Sequence, residues 1–77
     1  MARPPKAQNL KTYAGQVGAR IRAARLRKKL SVADAAAAAG APAPTWYHWE
    51  AGRHLPLDAL PAIAEALGTS PRNLLPA

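Results

Sequence analysis

The side chains able to do chemistry in this 77-residue chain are mostly cations. Eleven Lys and Arg stand against four Asp and Glu, and their placement says more than their total. Nine of the eleven lie in residues 1–29, a stretch without a single acid. Residues 30–77 hold Arg53, Arg72 and all four acids, a balance of −2. A cationic half on so small a chain attracts phosphate polyanions. The plainer reading of the same charges is a solvated basic surface that serves solubility.

Catalytic constellations fail one by one. His48-Trp49-Glu50 matches the H-x-E of zinc deaminases, but the P-C-x-x-C partner requires cysteine and the chain has none. The same absence removes disulfides, thiolate metal sites and a cysteine nucleophile, and it fits a reducing compartment. His48 and His54, six residues apart, do not share a helix face for a metal. Gly15-Gln16-Val17-Gly18 matches the GXXG loop of KH modules, which need strands that this sequence does not suggest. Gly15 and Gly18 instead suit the close approach of a helix or a DNA backbone. No Walker loop and no serine with a plausible base are found. The expectation is a non-enzyme without cofactor or metal. No apolar run reaches the ~18 residues that span a membrane, and no apolar segment follows the basic N-terminus as in a secretory signal. A cytoplasmic, nucleoid-associated location is expected.

The elements that position these residues centre on Leu30 to Gly52. Ser31 is an N-cap candidate, and Asp34 three residues on completes a capping box. An alanine run carries a helix over about 32–39, and Gly40 suits the left-handed position that ends it. A second helix over about 43–51 follows within about three residues, with Pro42 and Pro44 tolerable only near its start. Trp46, Trp49 and Glu50 share one face at i, i+3, i+4, which leaves Ala43, Pro44, Tyr47, His48 and Ala51 facing outward. Two helices with so short a turn form a helix-turn-helix at about 32–51, whose second helix can enter a DNA major groove. The tryptophans fill volume that the alanines leave open.

Around this unit, residues 1–12 carry Pro4-Pro5, polar residues and cations, and read as a flexible basic arm. A first helix runs from about Tyr13 to Lys28, with Val17, Ile21 and Ala24 inward and Leu26 off the apolar stripe. Asp58 is an N-cap candidate for a fourth helix, with Pro61 in its first turn and Leu60, Ile63, Ala64 and Leu67 on its core face. Ser70-Pro71 opens a final single-turn helix, closed by Leu74 and Leu75. No strand is suggested, so the class is all-α, one domain over residues 13–76. The chain ends at Ala77, directly after this bundle, so no ligand-sensing or dedicated dimerisation domain is expected within it.

Gly18, Ile21-Arg22, Arg25, Leu30-Ser31, Ala36, Gly40, Thr45, Trp49-Glu50, Gly52, Pro61, Ala64, Ala66-Leu67-Gly68 and Leu74-Leu75 stand at the spacing of one family. Over residues 15 to 76 the chain resembles the phage-repressor-like helix-turn-helix family of Cro/cI (XRE) type. No single dipeptide is diagnostic; the strength lies in many ungapped matches. The resemblance implies a compact, lambda-repressor-like bundle of five short helices and double-stranded DNA as partner. It also implies a homodimer or tandem reading of half-sites. Ala43, Pro44 and His48 stand where the family's base-reading side chains commonly sit, with Tyr47 beside them. Strong readers such as Arg, Lys, Asn or Gln are absent there.

For phosphates the resemblance and the charge pattern point to several groups. These are the helix start at Val32, where relatives often carry glutamine, together with Arg53, Arg22 and Lys28, and Arg3 and Lys6 on the arm. Asp58 stands where relatives are often basic. Arg25 and Glu50 are the family's structural ion pair. The function expected is a DNA-binding transcriptional regulator. Two alternatives stay open: a protein-interaction module of the same fold, such as an antitoxin or accessory factor, and a non-specific nucleic-acid binder. The apolar residues Leu26, Val32, Tyr47 and Leu57 speak for the former.

Overall fold

A computed structural model describes residues 11–76. Four α-helices follow one another: α1 (Tyr13–Arg27), α2 (Val32–Ala39), α3 (Ala43–Glu50) and α4 (Leu60–Ala66). Two short 3₁₀ turns accompany them, Leu57–Ala59 before α4 and Pro71–Leu74 at the end, and no strand occurs among the described residues. The expected five-helix bundle is therefore four α-helices plus a C-terminal 3₁₀ turn. That last element spans four residues and is held by i→i+3 bonds, Asn73 N–H to Ser70 C=O and Leu75 N–H to Arg72 C=O. Leu75 is already extended, so no further helical turn forms.

Starts and stops have local causes. The Thr12 side chain accepts from Gly15 N–H at 2.9 Å, which makes Thr12 the cap of α1 rather than the end of an arm. The expected arm otherwise lies in residues 1–10, outside the described residues, as do Arg3 and Lys6. Ser31 Oγ accepts from Asp34 N–H at 3.0 Å and starts α2. Asp58, in contrast, caps nothing. Ala59 N–H bonds to Pro56 C=O, and Ala59 is already right-handed helical where α4 begins. No extended N-cap position exists from which an acid could reach the helix start.

All four helices end in the same way. A residue of positive φ follows the last turn, and the two N–H groups there reach back to carbonyls three and five residues earlier. Glycine fills that position after α2, α3 and α4; after α1 it is Lys29, at φ 60°.

The core gathers Val17, Ile21 and Ala24 from α1, Ala35 and Ala36 from α2, Trp46 and Trp49 from α3, Leu60, Ile63, Ala64 and Leu67 around α4, and Leu74. Trp46, Ile21, Ile63 and Leu74 are its largest fully buried side chains. Alanine removes little apolar surface from water, so α2 lies close to its neighbours and the two indoles supply the bulk. Their centroids are 5.7 Å apart and tilted by 60°, a favourable aromatic arrangement. Leu26 is exposed, as its off-stripe position implies.

Candidate nucleic-acid interface

The turn between α2 and α3 sets the pose of the candidate reading helix. Gly40 is left-handed, Ala41 N–H closes α2 on Ala36 C=O, and Pro42 is extended as the N-cap of α3. From there the buried face of α3 is Trp46, Trp49 and Glu50.

Glu50 is the hub that fixes this face. Arg25 Nε donates to Glu50 Oε2 at 2.5 Å, Arg25 Nη2 to Oε1 at 3.4 Å, and Trp46 Nε1 to Oε2 at 2.7 Å. Arg25 Nη1 donates to the Leu30 carbonyl at 2.8 Å, which ties the α1–α2 connection to the same network. Both charged residues are buried, so the pair is a structural strut between α1 and α3 rather than a surface ion pair. Trp49 Nε1, buried in the same region, has no hydrogen-bond partner.

Glycines allow α1 and the end of α3 to touch. A Cβ on Gly18 would fall on the Glu50 carbonyl and within 2.8 Å of Gly52 N. A Cβ on Gly52 would lie 2.7 Å from the Ala14 carbonyl oxygen, and Gly52 also holds φ 76°. The helix approach expected of Gly18 is thus an approach to backbone, where no side chain can yield.

The opposite side of α3 is open. Pro44, Tyr47 and His48 are exposed and Ala43 is half-buried. Ala51, expected to face outward, is buried at 9%. It is the C-cap of α3 and stands between Glu50 and Gly52, the two residues whose backbone lies against Gly18 of α1. Arg53 is exposed just beyond, its N–H bonded to His48 C=O at 2.8 Å. His54 follows at φ 49°, and its ring meets that of His48 edge-on, centroids 5.4 Å apart. The two histidines share no helix face, as their spacing implies, yet the loop that follows α3 makes them neighbours. The positive φ values at Gly52 and His54 bend the chain back.

The expected phosphate contacts scatter. Val32 is half-buried with its side chain packed on the core, so only its backbone N–H is on offer at the start of α2. Asp34 stands in that same first turn. Arg22 is exposed on α1. Lys28 is exposed as the C-cap of α1, and its Nζ lies 2.9 Å from where a Cβ on Gly68 would stand.

A family model described as a helix-turn-helix domain, of XRE/Cro type, matches residues 16–77. The chain belongs to that family. No curated protein and no solved structure matches it. Membership suggests DNA binding, and this helix-turn-helix family is typically non-enzymatic. No helix among the described residues is long and apolar enough to cross a membrane.

Proposed function

We propose that this helix-turn-helix domain is a double-stranded-DNA-binding transcriptional regulator acting in the cytoplasm at the nucleoid. It lays α3 in the major groove. Ala43, Pro44, Tyr47 and His48 meet base edges, and Arg22, Arg53, the backbone N–H of Val32 and the arm residues Arg3 and Lys6 hold phosphates. Lys28, exposed just beyond the end of α1, adds a further cation for a phosphate. Two copies on a palindromic or tandem site would complete the reading.

One observation carries this reading. α3 is pinned along its whole inner face by Trp46, Trp49 and the Arg25–Glu50 pair, while its outer face is bare. A helix held so firmly and left uncovered is built to present that face.

A second reading has an observation of its own. The outer face offers no Arg, Lys, Asn or Gln, and Tyr47 and Leu57 are 60% and 78% exposed. Such a surface also suits a protein partner, as in an antitoxin or accessory factor. Selection of bound duplexes from a random pool separates the two. Enrichment of a defined motif supports the regulator. Duplex binding without enrichment moves the domain to a non-specific binder, and absence of duplex binding moves it to a protein-interaction module.

A further inference from the structure

His48 ends the exposed face of α3, and His54 lies two residues beyond Gly52. Both side chains are exposed, and their rings stand 5.4 Å apart at 85°. The left-handed backbone of Gly52 (φ 76°) and of His54 (φ 49°) brings the second ring back over the end of the helix. Left-handed φ is uncommon for a residue with a side chain, and here it belongs to the turn that brings the two residues together.

We propose that His48 and His54 chelate one borderline divalent transition ion, such as Zn²⁺ or Ni²⁺, through one nitrogen of each ring. Neutral imidazole is the ligand type such ions favour. Metal–nitrogen bonds of about 2.0–2.1 Å at a near-tetrahedral angle place two ring centroids about 5 Å apart. The observed separation differs from this by a few tenths of an ångström, which small side-chain rotations close on an exposed surface. Among the described residues no third His, Cys, Asp or Glu joins them, so water completes the coordination and the site stays open. Arg53 between them and the net charge of +7 oppose a dication, which makes the chelate reversible rather than structural. The consequence for DNA rests on the reading proposed above: a metal on His48 takes the nitrogen that would meet a base edge.

Titration of the whole chain with Zn²⁺ or Ni²⁺ alone, followed by calorimetry and by histidine ring resonances, tests the site without DNA. One equivalent saturates the wild type. His48→Ala and His54→Gly each weaken binding at least tenfold, and acidification releases the ion because a protonated imidazole has no lone pair to give. The glycine variant suits the left-handed position, so its loss of binding is not a loss of fold. Either variant binding as tightly as wild type overturns the chelate, as does failure to saturate near one equivalent. A second titration adds duplex DNA. Metal that weakens duplex binding by wild type, but not by His54→Gly, supports both proposals. Chelation with unchanged duplex binding supports the metal site and overturns base contact by His48.

Discussion

Removing Arg25 or Glu50 should unfold the linkage that aims α3. In Arg25→Ala the Glu50 carboxylate stays buried without its cationic partner, and the Leu30 carbonyl loses a donor at 2.8 Å. Glu50 is 6% exposed and Arg25 9%, so water cannot replace what is lost without opening the domain. Breaking a buried pair from one side costs about 3–5 kcal/mol. A chain of 77 residues carries a total stability of about 4–12 kcal/mol at 0.05–0.15 kcal/mol per residue. The loss is therefore a large fraction of the whole. At about 4–8 °C per kcal/mol for a domain of this size, Tm falls by at least about 12 °C. Glu50→Gln keeps an acceptor oxygen for Trp46 Nε1 and should lose less than Glu50→Ala. Thermal and urea unfolding of Arg25→Ala, Glu50→Ala and the double variant give the coupling energy, which should exceed about 1 kcal/mol and survive high salt. Additive losses, with coupling below about 0.5 kcal/mol, would refute the strut.

Trp46→Phe removes the donor to Glu50 and opens space in the core, and should cost about 2–4 kcal/mol in urea unfolding. Trp49→Phe deletes a buried N–H without a partner, so relief offsets lost volume and stability should change by less than about 1 kcal/mol. Gly18→Ala should lower stability by about 1–3 kcal/mol despite the better helix propensity of alanine, because its Cβ meets the backbone of Glu50 and Gly52. On a selected duplex at fixed salt, His48→Ala should reduce discrimination against scrambled DNA by about 1–3 kcal/mol. Arg53→Ala should weaken binding to both duplexes alike.

How much of this was legible in the sequence differs by element. The α2 limits were readable at both ends, because Ser31 and Gly40 are residues whose own chemistry starts and stops a helix. The inward face of α3 followed from a spacing of three and four. What escaped was decided by tertiary context. Thr12 caps α1, yet it sits in a polar, cationic stretch that reads as an arm. Lys29 takes a left-handed position that sequence reasoning assigns to glycine. Asp58 has the right chemistry for a cap, but the tight turn from Pro56 into α4 leaves no place for one.

The outer face of α3 was legible mainly by subtraction. An α2 made almost wholly of alanine cannot fill the space beside α3, so both tryptophans must turn inward. Glu50 must follow them, because Arg25 waits there and Trp46 Nε1 needs an acceptor. Every large or charged group the helix owns, apart from Tyr47 and His48, is thereby consumed by the fold. His54 could not be found this way, since six residues is no helical repeat and it takes positive φ at both Gly52 and His54 to bring it back. The consequence bears on mechanism. A helix that has given its strong side chains to the core has few donors left for bases, so on the function proposed above most of the affinity for DNA comes from phosphate contacts. Each phosphate neutralised should then contribute a slope of about −0.9 to log affinity against log salt. A flat salt response would mean that the bare face of α3 was made for a partner other than DNA.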